Sequence, residues 1–187
     1  MKIGILCAIP KEIIYFDLPP NSAQTLGGRT FFCKHEESHE LIVVECGLGK
    51  VNAALVSTLL IQQFDCELLV FSGVAGGIDP EMEIGEVVVG ESLIQYDYGA
   101  LNDGQLQVYR AGSIPMGAPD NSAEFSLDPE IMKIIKAALP GVRMGTILTG
   151  DVFLQCRETR KALFEQFGAQ AIEMEGGAVA QVAEQFG

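Results

Sequence analysis

An α/β fold with a mixed, largely parallel sheet is predicted by three observations. Short apolar runs such as Lys2 to Ala8, Glu67 to Phe71 and Val142 to Leu148 lack two-residue alternation, which marks strands buried on both faces. These runs alternate with helical stretches, of which Val51 to Phe64 and Arg157 to Phe167 are the clearest. Polar or glycine-rich turns recur just past the strand ends, where open α/β sheets bind their ligands.

The totals set the frame. A chain of 187 residues that is 48% hydrophobic forms one domain with enough interior for a core. Lys+Arg 12 against Asp+Glu 25 gives a net charge of −13, which argues against nucleic acid or an anionic membrane surface as partner. Acidity does not identify a substrate. The five cysteines (Cys7, Cys33, Cys46, Cys66, Cys156) are scattered and never spaced CxxC, which fits unpaired thiols in a reducing compartment. Neither a metal nor a cofactor is expected. The apolar start meets Pro10-Lys11-Glu12 too soon for a signal peptide, and no run is long enough to span a bilayer. A soluble cytoplasmic protein is the expectation.

In chain order, Lys2 to Ala8 is the first strand, and Pro10 opens a short helix over Lys11 to Phe16 that Pro19-Pro20 stops. Thr30 to Lys34 and Leu41 to Glu45 are paired strands, joined by a polar turn, His35 to Glu40, that holds both histidines as a solvated tip. Gly47-Leu48-Gly49-Lys50 follows a strand and opens the helix Val51 to Phe64. It fails both phosphate-loop spacings, since Val44 and Asn52 stand where glycines are needed. The helix is apolar nearly all round, so it is expected to be buried, partly against a second subunit.

Glu67 to Phe71 is a further buried strand, ending in the glycine-rich Ser72 to Gly77, which offers close backbone approach to a ligand or is an ordinary turn. Glu86 to Ile94 is a strand, Gln105 to Tyr109 an edge strand, and Met116 to Ser126 a surface loop. Asp128-Pro129-Glu130 starts a helix that Pro140-Gly141 stops. Val142 to Leu148 runs into Thr149-Gly150-Asp151-Val152-Phe153-Leu154, either a site wall or an Asp-capped turn with a core Phe.

The last stretch carries the most chemistry. Ala169 to Ile172 reads as a strand and Ala178 to Phe186 as a helix, with Glu173-Met174-Glu175-Gly176-Gly177 between them. On an extended backbone Glu173 and Glu175 point the same way. A carboxylate there can accept both hydroxyl protons of a vicinal diol. The alternative is that an acid in a helix's first turn complements the macrodipole. Four strand ends thus carry such mouths: Pro10 to Glu12, Ser72 to Gly77, Thr149 to Leu154 and Glu173 to Gly177.

Six motifs, MKIGILCAIPKE, CGLGKVNAAL, FSGVAGG, IGEVVV, TGDVFL and AIEMEGGAVAQV, occur in the order and spacing of one family. The chain resembles the nucleoside phosphorylase/nucleosidase superfamily, and within it the 5′-methylthioadenosine/S-adenosylhomocysteine nucleosidases. The resemblance implies a single-domain three-layer sandwich and hydrolysis of an N-glycosidic bond to release adenine. It implies that Glu12 activates water and that Met174 and Glu175 bind ribose, Glu175 through the 2′- and 3′-hydroxyls. It further implies that Phe153 stacks on the purine, the Leu154 backbone meets the purine edge, and Ala75, Gly76 and Ile9 line the pocket. With Glu173 beside Glu175, these are the expected substrate contacts. A homodimer is implied as well, a neighbour's loop closing the 5′ pocket; the loop here is the divergent 98–115 region. Tyr96-Asp97 stands where a His-Asp pair is common.

The hydrolase branch is favoured because those four mouths hold no arginine for phosphate and Glu12 would repel it, Lys11 and Lys50 being the nearby cations. In the family a further strand follows the last helix and ends in a Ser-Asp pair whose Asp protonates the purine. The sequence stops at Gly187, so residues 1–187 are expected to be a domain lacking its C-terminal strand and helix. Asp151 is the nearest stand-in for that acid, at a position that is not the acid in the family. Two other readings stand: a phosphorylase or a nucleosidase for another 5′-modified nucleoside, and a nucleoside-binding protein without turnover.

Overall fold

In the computed structural model, which describes residues 1–119 and 123–187, strands alternate with helices as expected. The first half comprises β1 (Lys2–Cys7), α1 (Pro10–Ile13), β2 (Ala23–Leu26), β3 (Arg29–Glu36), β4 (His39–Glu45), α2 (Lys50–Phe64) and β5 (Leu68–Phe71). Its sheet has the order β2-β3-β4-β1-β5, with β1 parallel to both β4 and β5. The second half opens with β6 (Gly76–Gly77), β7 (Val88–Gln95), β8 (Gly99–Asn102), β9 (Gln105–Val108) and β10 (Glu124–Ser126). It continues through α3 (Pro129–Ala138), β11 (Arg143–Thr149), α4 (Arg157–Phe167), β12 (Ala171–Glu173) and α5 (Gly176–Phe186). Its sheet runs β10-β7-β11-β12-β6, with β11 parallel to β7 and β12. The mixed α/β character holds, and the sheet is divided in two. The second sheet is parallel at its centre and antiparallel at both margins, the first is antiparallel over β2-β3-β4 and parallel from β4 through β1 to its β5 edge, and β8 and β9 form a separate hairpin.

Each half has its own core. Leu6, Phe31, Ile42 and Val44 of the first sheet pack with Ala53, Val56 and Leu60 of α2 and with Ala178 and Val179 of α5. The Phe31 and Phe64 rings stack at 4.7 Å. Ile94, Leu148 and Ile172 of the second sheet pack with Leu163 of α4. Because α5 follows β12 yet packs on α2, it ties the second half to the first. The α3 start is as read: Asp128 Oδ1 accepts from the backbone N–H of Glu130 at 2.8 Å and of Ile131 at 3.2 Å.

Several local readings are corrected. The two histidines lie in strands, His35 paired with Glu40 and His39 with Glu36, and the turn is only Glu37-Ser38. Alternation between faces lets polar residues extend a ladder that composition alone would have ended. The segment before β3 is itself a strand, β2, turned back at Gly27-Gly28. The strand β5 is an edge with Val70 exposed, not a strand covered on both faces. Within this chain α2 buries one side and leaves Val51 81% and Leu55 48% exposed, the side expected to meet a second subunit. Within the expected loop at 116–126, β10 pairs with β7, and residues 120–122 lie outside the described residues.

Candidate active site

Glu12 sits in the single turn of α1, directly past the end of β1. Pro10 suits the first helical position because it lacks the N–H that would be unpaired there. Glu12 Oε2 accepts from Ala8 N–H at 2.7 Å and Ile9 N–H at 3.1 Å, and Oε1 accepts from Val74 N–H at 2.9 Å. Three backbone donors thus aim one carboxylate. Gly73 lies close beside it, and a Cβ there would stand 2.9 Å from Oε1 and push the carboxylate aside. Neither Gly73 nor the Val74 amide was singled out from the sequence, though the glycine run FSGVAGG was the available signal.

Glu173 and Glu175 part company. Glu173 Oε2 accepts from the N–H of Glu175 at 2.7 Å and Gly176 at 2.6 Å, while Oε1 takes the Thr149 hydroxyl proton. That is the helix-terminus role, an acid saturating the first amides of α5. Buried Thr149 in turn accepts from Gly177 N–H at 2.7 Å. Glu175, 3% exposed, instead accepts from Gly49 N–H at 2.6 Å. Burial raises the Glu175 pKa above the ordinary carboxylate value, the Gly49 N–H opposes that, and the charges of Glu173 and Glu12 add to it. Burial likewise raises Glu173, against its three hydrogen bonds. The three carboxylates therefore share one electrostatic field.

The remaining expected residues lie at the same strand ends or in the turns beside them. Phe153 is 76% exposed on the turn after β11, its ring open to a planar ligand, while Leu154 packs back onto the second core. Ala75 is exposed beside β6, Gly76 is exposed within it and pairs with Ile172, and Ile9 and Met174 are half-buried. Asp151 is not free: Oδ1 accepts from Lys50 N–H at 2.8 Å and Oδ2 lies 4.0 Å from Lys50 Nζ. It caps α2, not its own turn, and Phe153 is exposed, so the reading as an Asp-capped turn with a core Phe is corrected in both parts.

Two further findings came only with the fold. The Arg29 guanidinium, from the start of β3, packs on Gly47, its Nη2 being 2.5 Å from where a Cβ would stand, and donates to Asn52 Oδ1 at 3.1 Å. The expectation that lysines alone supply nearby cations is thereby corrected. Cys7 and Cys46 lie beneath the site, both fully buried. Burial pushes each thiol up to about 12, with Glu12 and Glu45 adding to Cys7 and Glu175 adding to Cys46. Such thiols stay protonated and are poor nucleophiles.

Topology and geometry together define an α/β domain whose ligand face lies over the carboxyl ends of parallel strands, with amide-held carboxylates at its centre. The chain belongs to the Phosphorylase superfamily, whose family description matches residues 2–187. The 5′-methylthioadenosine/S-adenosylhomocysteine nucleosidase of Mycobacterium tuberculosis (strain CDC 1551 / Oshkosh) is 37% identical over 206 residues, covering 100% of this chain and 81% of that protein. The aminodeoxyfutalosine nucleosidase of Campylobacter jejuni is 34% identical over 192 residues, covering 98% of this chain and 80% of the relative. Among solved structures, the S. pneumoniae 5′-methylthioadenosine/S-adenosylhomocysteine nucleosidase with the transition-state inhibitor MT-ImmA superposes with a TM-score of 0.86. It has 30% identity to this chain and covers 100% of it and 80% of that chain.

Proposed function

We propose that this protein is a nucleosidase that hydrolyses the N-glycosidic bond of 5′-methylthioadenosine and related 5′-thio-nucleosides, releasing adenine. The observation that carries the reading is that Glu12 and Glu175, each held by backbone N–H at a strand end, stand near enough for the Glu12 charge to raise the Glu175 pKa. Cleavage through an oxocarbenium-like state needs negative charge near the sugar and a base for the attacking water. Glu12 fits the base because three backbone N–H groups hold its carboxylate in one orientation. Glu175 fits the diol clamp because, ionised, it still has acceptor capacity beyond Gly49 N–H. Glu173, spent on the α5 terminus, supports Glu175 from behind, and Met174 backs the sugar. Phe153 is the purine platform, with the Leu154 backbone at the base edge and Ile9, Ala75 and Gly76 along the wall.

A phosphorylase is the second reading, and Arg29 beside the Gly47 turn favours it. Product analysis separates them: a nucleosidase gives adenine and the free 5-thio-sugar without inorganic phosphate, whereas a phosphorylase gives the sugar 1-phosphate and depends on phosphate. Phosphate-dependent release of adenine would overturn the hydrolase reading. Base stacking also has a direct consequence. Phe153→Ala is expected to weaken adenine binding about tenfold, since one base–aromatic stack is worth about 1–3 kcal/mol. Titration calorimetry with adenine checks it.

A homodimer is supported by Leu48, Val51 and Leu55, exposed apolar residues of the Gly47 turn and α2. The unpaired, mostly buried cysteines accord with a cytoplasmic setting. Among the described residues no helix is long and apolar enough to cross a membrane.

A further inference from the structure

The candidate residues are divided between the two sheets. Glu12 and Gly49 extend from strands β1 and β4 of the first, whereas Glu175, Asp151 and Asp97 follow strands β12, β11 and β7 of the second. No strand ladder joins the two sheets among the described residues. Their register at the mouth therefore depends on side chains and on α5. A closed ring of contacts spans the gap there. Lys50 Nζ donates to Asp97 Oδ1 at 2.6 Å, Asp97 Oδ2 accepts from Asp151 N–H at 2.9 Å, and Asp151 Oδ1 accepts from Lys50 N–H at 2.8 Å. The residue before Lys50 is Gly49, whose N–H holds Glu175.

We propose that Lys50, Asp97 and Asp151 form a latch that fixes the Gly47–Lys50 turn against the second sheet, and so positions Glu175 relative to Glu12. The inference rests on the nucleosidase reading above and names three positioning residues for its ribose clamp. The placement of Lys50 supports it. A cation in the first turn of a helix opposes the macrodipole, so helix stability alone does not account for a lysine there. Asp97 and Asp151 supply what the helix end does not, and the Lys50 and Asp97 side chains are only 18% and 21% exposed, which limits screening. Gly49 completes the device. Its φ of +92° suits glycine, and a Cβ on it would lie 3.0 Å from Asp151 Oδ1, so the turn and the acid fit only with this residue.

The test compares Asp97→Asn with the parent on methylthioadenosine and on its 3′-deoxy analogue, which lacks a hydroxyl that Glu175 would hold. A latch acting through Glu175 gives a loss in kcat/KM of about 10–100-fold on the full substrate. Most of that loss lies in KM, and the loss on the deoxy analogue is much smaller. A residue that merely stabilises the fold lowers both alike, and equal losses would overturn the proposal. Lys50→Arg should keep most activity, whereas Lys50→Met added to Asp97→Asn should cost little more than either change alone. Hydrogen exchange of the Gly49 amide in ligand-free protein gives a readout independent of turnover. It should quicken about tenfold in Asp97→Asn, or in Lys50→Met if the first variant does not fold. An unchanged Gly49 amide rejects the latch even if the wild type proves inactive on thio-nucleosides, an outcome that would reject the nucleosidase reading instead.

Discussion

Glu12→Gln is expected to lower kcat about a thousandfold while leaving adenine affinity within about threefold of the parent. The proposed base is lost outright, because an amide cannot take a proton from water. The geometry adds a second effect. Both carboxylate oxygens now accept backbone N–H groups, Oε2 from Ala8 and Ile9 and Oε1 from Val74. Glutamine offers one oxygen and one NH2, so its NH2 must face a backbone donor on one side. That conflict costs about 1–3 kcal/mol as a hydrogen bond left unmade, and it tilts the group away from its aim. Single-turnover kinetics with methylthioadenosine, set beside calorimetric adenine binding, separate the two effects. A loss of binding equal to the loss of rate would remove Glu12 from the role of base and make it a ligand contact.

How far the site could be read from the chain depended on how local each interaction is. The strand-end placement of Glu12 and Glu175 was legible because each stands beside a turn signal, Pro10 before one and Gly176-Gly177 after the other. The helices α3 and α4 were equally legible, one from its Asp-Pro start and the other from its amphipathic period. The different tasks of Glu173 and Glu175 were not. Their two-residue spacing assumes an extended backbone, whereas Glu175 takes φ −133° and ψ −44° as the chain enters α5. Thr149, 24 residues upstream, then captures Glu173. Arg29 was missed for the same reason, being remote in sequence from the Gly47 turn it packs on. The division of the sheet escaped as well, since apolar runs signal burial but not which neighbour a strand pairs with. Asp151 escaped the local reading too: it caps no turn of its own, and the helix it does cap begins 101 residues away.

Glu175→Ala should reduce kcat/KM about a thousandfold, with both KM and kcat affected. Two charge-assisted hydrogen bonds to a diol, at about 1.5–3 kcal/mol each, are lost in ground and transition states alike. Alanine also leaves Gly49 N–H without its acceptor, which loosens the turn that carries it. Glu175→Gln separates these effects, because its amide oxygen can still take the Gly49 N–H while the negative charge is gone. Activity should stay low in Glu175→Gln, yet the ligand-free protein should become more stable at neutral pH. The reason is the direction of the pKa shift. Burial, reinforced by Glu173 and Glu12, places the folded pKa of Glu175 above its ordinary 4.5. The folded state therefore holds this proton more tightly than the unfolded state. That contribution to stability is complete below the ordinary value and is lost as pH rises through the elevated folded one. Above it the wild type carries a buried charge that glutamine lacks. Thermal unfolding from pH 4 to pH 8 should show the two proteins converging at the acid end. At neutral pH the glutamine variant should melt higher, by about 2–4 °C per kcal/mol recovered. Glu173 is raised in the same sense, and removing the Glu175 charge also relieves the repulsion between the two carboxylates, so part of the difference is carried by Glu173. A Glu175→Gln protein less stable than the wild type at neutral pH would mean that the carboxylate is held there by more favourable contacts than its burial opposes. A higher melting point with lost activity would mark Glu175 as a residue selected for the proposed diol contact and not for folding, the trade expected where binding chemistry decides.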